Sequence, residues 1–171
     1  MKVRSALGFV LCVLFYFFLA GFTGSGINQF QSGSEKLASG DYRGAILEFT
    51  QALELNPGQS DGYFYRGLSK AKSGDFQGAV SDYDKSIELN STRIEYFGSR
   101  GIAKARLGDV DSAIDDFDIA IELNPQDGNA FFNHGMAMEM IGERTLACDD
   151  WHKAIQYRHE LAKRFVQNKC S

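Results

Sequence analysis

Three pairs of side chains share one spacing: Arg66 with Asp82, Arg100 with Asp116, and His134 with Asp150 each lie 16 residues apart. A basic group facing a carboxylate is the raw material of proton transfer, so the recurrence invites a catalytic reading. A structural reading covers the same residues. If each pair belongs to one helical hairpin, folding the hairpin brings cation and anion together, and losing either partner strands the other. Nothing else supports catalysis. The three histidines, His134, His152 and His159, have no cysteine or carboxylate at a metal-ligand spacing beyond Asp149 and Asp150. His152 with Asp149 on one helix face is a weak pair of ligands at best. No serine nucleophile motif occurs, and no glycine loop is followed by Lys-Ser or Lys-Thr. The expectation is a protein without enzyme activity, cofactor or metal.

Stepping outward from these residues, the first part of the chain stands apart. After Lys2 and Arg4 no charge appears until Glu35, and residues 6–22 form an almost wholly apolar run. Two basic residues before such a run are the pattern of a secretory leader. Seventeen residues also reach the lower limit of a spanning helix. Residues 1–25 are therefore expected to be a cleaved signal peptide or an uncleaved membrane anchor, with the rest of the chain exported. Cys12 lies inside the run and reads as a packed apolar residue. The net charge is −4, and Lys2 and Arg4 are two of the 18 basic residues set against 22 acidic ones. Nucleic acid is a poor partner for such a surface.

The remainder is one motif written four times. Gly33, Gly67, Gly101 and Gly135 are spaced by 34, as are Gly40, Gly74, Gly108 and Gly142. Ala45, Ala79, Ala113 and Ala147 form a third column, and Phe49, Tyr83, Phe117 and Trp151 a fourth, aromatic one. Between each Gly-Asp pair and the following Asn, apolar residues recur at three and four, as in Phe76, Ala79, Val80, Tyr83 and Ile87, which is a helix face. The glycine suits a left-handed helix end and the aspartate caps the next helix. Pro57 and Pro125, 68 apart, stop a second helix.

A 34-residue helix-turn-helix with these columns resembles the tetratricopeptide repeat family. The resemblance covers residues 26–59, 60–93, 94–127 and 128–159, and it implies an all-α superhelix of four hairpins. Residues 160–171 are expected to add a capping helix, with Leu161, Ala162, Phe165 and Val166 on its apolar face. An apolar leader helix would precede the array. The first helix of repeat one is polar and expected to be weak.

Cys148 and Cys170 are the cysteines left outside the leader, and an even pair suits an exported protein. Their midpoint is residue 159, where the last repeat helix should turn back into the cap. A disulfide there is expected, against two buried thiols.

In this family the first helices line a groove that receives an extended or helical peptide. The resemblance places Phe64, Leu68 and Lys72, then Gly98, Ile102 and Arg106, then Phe132, Met136 and Met140 on that face. The chaperone-binding branch clamps a terminal carboxylate with lysines; Phe64, Gly98 and Phe132 stand where lysine is needed, so that specificity is not expected. An apolar groove edged by Lys72 and Arg106 suits a hydrophobic or amphipathic segment carrying acidic residues. The competing reading packs these apolar residues against neighbouring first helices. The expected function is an interaction scaffold for a protein partner, serving a complex of the cell envelope or membrane. A self-associating scaffold is the alternative.

Overall fold

The computed structural model describes residues 26–170, so the leader at 1–25, including Cys12, lies outside the described residues. Among the described residues the chain forms nine helices and no strand. They are α1 (26–39), α2 (Tyr42–Leu55), α3 (Ser60–Ser73), α4 (Phe76–Leu89), α5 (Ile94–Arg106), α6 (Val110–Leu123), α7 (Gly128–Met140), α8 (Arg144–Gln156) and α9 (Glu160–Lys169). Each helix packs against its neighbours in sequence, and successive odd-numbered helices also touch: α3 with α5, α5 with α7, and, through ring contacts, α1 with α3 and α7 with α9. No described helix is long and apolar enough to cross a membrane.

The punctuation between helices is chemical. Gly40, Gly74, Gly108 and Gly142 take φ of +85° to +94°, the left-handed conformation that ends an odd-numbered helix without a Cβ clash. The next residue then caps the even-numbered helix. Asp41, Asp75 and Asp109 accept hydrogen bonds from the N–H groups of Gly44, Gly78 and Ser112 at 2.9–3.3 Å. Glu143 makes no such bond at α8. Its longer side chain is a poor substitute for a capping aspartate.

Packing explains the other columns. Ala45, Ala79, Ala113 and Ala147 are wholly buried, and Phe49, Tyr83, Phe117 and Trp151 nearly so. Each ring packs tightly against the backbone of the partner helix: a Cβ at Gly33, Gly67, Gly101 or Gly135 would stand only 2.7–2.9 Å from it. Glycine is required there by the close approach. Each buried ring contributes about 1.5–3 kcal/mol. The last hairpin and α9 share the cluster of Phe131, Ala147, Trp151, Ala154 and Ala162, with Phe165 and Val166 packed on it. Ala162, Phe165 and Val166 thus close the stack, as a repeat array demands, whereas Leu161, expected on the same face, is 63% exposed. Helix α1 is fully formed despite its polar sequence, because Phe30 packs edge-on to Phe49 and Tyr65.

Candidate functional site

The paired charges form a structural ladder. Arg66 grips Asp82 through Nε (2.9 Å) and Nη2 (2.6 Å), and Arg100 grips Asp116 through Nε (2.9 Å) and Nη2 (2.5 Å). Both carboxylates are buried and each takes a second cation, Lys70 at 2.7 Å and Lys104 at 2.9 Å. In the last repeat His134 Nδ1 lies 2.6 Å from Asp150. In the first, Lys36 reaches Glu48 at 2.6 Å. Three of these side chains also reach backward by 16 residues. Arg66 donates to Thr50 (3.3 Å), Arg100 to Asp84 (2.7 Å), and His134 Nε2 lies 3.3 Å from Asp118. Each of these three rungs therefore closes its own hairpin and ties it to the preceding one. The hydrogen bonds to Asp82 raise the Arg66 guanidinium further above its already high value, against the opposing effect of burial. With Asp82 and Asp116 each held by two cations and Asp150 bonded to His134, the ladder positions helices.

Cys148 and Cys170 are joined by a disulfide, with Cα atoms 5.7 Å apart. It ties α8 to the end of α9 across the turn at Tyr157–His159. Closing a loop of this size restricts the unfolded chain by roughly 3 kcal/mol. His152 Nδ1 turns to the carbonyl of Cys148 at 2.7 Å, away from Asp149. Among the described residues no group of three or more His, Cys, Asp or Glu side chains is placed to hold a metal.

The remaining candidate is the face built by α3, α5 and α7. Two adjoining depressions open there, of about 340 and 270 Å³, and both are lined by Ser99 and Ile102. The larger lies between α3 and α5, over Leu68, Lys72, Phe76, Ile102 and Arg106. Tyr83 lines it too, and burial pushes its phenol well up, with the Asp82 charge acting the same way, so the hydroxyl stays protonated against Ser99. The smaller lies between α5 and α7, over Glu95, Gly98, Asp127, Asn129 and Asn133. Ile102 stands between them, 46% exposed.

Of the side chains expected on this face, Leu68, Lys72, Ile102 and Arg106 line the depressions. Phe64 does not. It is buried in the gap to α5, with its ring 4.9 Å from that of Tyr96. Phe132 is covered in the same way by the cap, stacked on His159 at 4.1 Å and edge-on to Phe165 at 5.1 Å. Met136 packs on that same C-terminal cluster, while Met140 is 57% exposed at the end of α7. The correction has one cause. A spacing of four places residues on one helix face, but the next first helix covers part of it. Asp127, Asn129 and Asn133 also line this face, outside the set that helical spacing predicts. The break in the Phe30, Phe64, Gly98, Phe132 column was the available signal, since a glycine among three aromatics leaves a gap.

An all-helical stack of hairpins, closed by a cap and opened along one face of its odd-numbered helices, is a repeat solenoid of the interaction-scaffold class. The chain matches the tetratricopeptide repeat family over residues 30–93 and 99–157, and it belongs to that family. Solved structures share the fold. YrrB, described as a tetratricopeptide repeat protein with an unusual peptide-binding site, superposes with a TM-score of 0.76 at 23% identity, covering 84% of this chain and 75% of that one. MamA gives 0.74 at 22% identity over 81% of each chain. The first such domain of Spaghetti (RPAP3), bound to the HSP90 peptide SRMEEVD, gives 0.68 at 20% identity, covering 70% of this chain and 94% of that one. No curated protein matches the sequence.

Proposed function

We propose that this protein is an interaction scaffold whose α3–α5–α7 face holds a peptide or helical segment of a partner protein. One observation carries the reading: two adjoining depressions run along that face, with Ile102 46% exposed between them and Lys72 and Arg106 at the rim. An apolar side chain left half open between two concavities is where a partner gains most by excluding water. Lys72 and Arg106 favour a segment carrying acidic residues. The peptide-bound and peptide-binding relatives support the same reading by analogy of fold.

The finer placement is also proposed. The apolar run at 6–22 behind Lys2 and Arg4 supports export, or anchoring to a membrane, and a disulfide suits an oxidising compartment. The scaffold would then serve a complex of the cell envelope. The test is crosslinking capture with the intact chain, comparing wild type with Ile102→Glu and Arg106→Glu. Both changes lie on exposed side chains, so helical content should be unchanged. At least a tenfold loss of the captured partner is expected. Capture that ignores both substitutions removes the groove assignment. Intact-mass measurement of the same sample shows whether residues 1–25 survive.

A further inference from the structure

The depression between α5 and α7 has a specific shape, set by a ring that three repeats have and one lacks. At the equivalent position Phe30 fills the gap to α3 against Tyr65 (5.7 Å), and Phe64 fills the gap to α5 against Tyr96 (4.9 Å). Phe132 fills the gap to α9 against His159 (4.1 Å). Each of these three seams between successive odd-numbered helices is thus closed by an aromatic ring. In the third repeat that residue is Gly98. The next helix supplies no ring either, because Ala130 and Asn133 stand where Tyr96 and Tyr65 stand in their own repeats. A Cβ built on Gly98 meets nothing within 4 Å. The resulting space, about 270 Å³, exceeds the roughly 150 Å³ that accommodates a benzene ring in a protein interior.

The charges around it are directional. Asp127 spends one oxygen on the Asn129 N–H at 2.8 Å and makes no ion pair with a lysine or arginine among the described residues, its charge reaching only the His159 imidazole, whereas Glu95 is held by Arg93 at 3.2 Å. Past Ile102, Lys72 and Arg106 edge the neighbouring depression, and Arg106 rests over the Phe76 ring at 5.1 Å without an ion pair among the described residues.

We propose that the notch over Gly98 receives one aromatic side chain of the partner segment, which also presents a cation to Asp127 and a carboxylate to Lys72 and Arg106. The assignment rests on the groove reading above and names the chemistry of what enters it. The occupant replaces the ring that the sequence omits, and the opposite charges on its two sides fix its direction along the face.

The test uses the full chain in detergent with N-acetyl-phenylalaninamide, N-acetyl-tryptophanamide and N-acetyl-alaninamide, read on the Ile102 methyl resonance. Saturable shifts at millimolar concentration are expected from the two aromatic probes, with the alanine probe at least tenfold weaker. Gly98→Phe, which restores the missing ring from within, should weaken aromatic binding at least tenfold and reduce crosslinked partner. If Gly98→Phe loses helical content, Asn133→Phe fills the notch from α7 instead. The proposal is overturned if the aromatic probes give no shift, if the alanine probe binds as well, or if filling the notch changes neither probe nor partner. Partner capture that depends on Ile102 and Arg106 but not on a filled notch keeps the groove and removes the notch. Aromatic-probe binding with capture indifferent to Ile102 and Arg106 removes both assignments of a partner. Light scattering that shows a dimer converted to monomer by Gly98→Phe gives the notch to a second copy and overturns the foreign partner.

Discussion

At the residue scale the ladder assigns unequal weight to its members. Asp82 is buried and serves both Arg66 and Lys70, whereas Arg66 shares its carboxylate with a second cation. Asp82→Ala strands two cations and should cost about 3–5 kcal/mol. Arg66→Ala leaves Asp82 paired with Lys70 and should cost about 1.5–3 kcal/mol, the worth of charged hydrogen bonds. Urea midpoints at constant slope measure both, and equal costs would refute a shared carboxylate. His159 carries a second residue-scale expectation. It packs on Phe132, and its burial holds the imidazole below the ordinary value, with the Asp127 charge opposing. The unfolded chain then takes up the proton first, so His159 costs no stability above about pH 6.5 and lowers it as the pH falls through that value. Comparing urea midpoints at pH 8 and pH 5.5, His159→Gln should show a smaller acid loss than wild type. Identical slopes would show that this imidazole does not sense folding.

At the element scale two glycines on one helix should respond oppositely to the same change. Gly98 faces open space, so Gly98→Ala gains helix propensity and stabilises α5 by about 0.5–1 kcal/mol. A Cβ at Gly101 meets the Phe117 ring at 2.7 Å, so Gly101→Ala should destabilise by about 1–3 kcal/mol. Thermal melts of the two variants decide the signs. The contrast also shows what the chain makes legible before folding. The glycine, alanine and aromatic columns could be read because a contact within a hairpin recurs at a fixed offset of 34. The bonds from Arg100 to Asp84 and from His134 to Asp118 went unread, because contacts between hairpins depend on how one unit leans on the last. Phe64 and Phe132 pack away from the groove for that same reason. Helical spacing says which residues share a face, and only the position of the next odd-numbered helix says which of them it covers.

At the scale of the whole molecule the stability of such an array is the sum of its units and its junctions. Three junctions between odd-numbered helices are closed by aromatic pairs, at Phe30–Tyr65, Phe64–Tyr96 and Phe132–Phe165. The junction between α5 and α7 has Gly98, Ala130 and Asn133 instead, and it is held by the packing of Phe97, Ala120 and Ala130 behind them and by the rung from His134 to Asp118. This seam should be the weakest in the stack. Beyond it lies the last hairpin with its cap, which holds the disulfide and the only tryptophan, Trp151. Two probes therefore watch different parts. Far-UV circular dichroism follows all the helices, while Trp151 fluorescence follows the stapled C-terminal unit. Under non-reducing conditions the fluorescence midpoint in urea should exceed the dichroism midpoint, because the first three repeats part from the fourth at the open seam. Gly98→Phe supplies the missing ring and should bring the two midpoints together. Coincident midpoints in the wild type would show that Phe97 and the rung from His134 to Asp118 already couple the halves, and that the notch weakens no junction. Reducing the disulfide should narrow the wild-type gap from the other side, since it removes the loop constraint that holds α9 on α8 and leaves the seam itself untouched.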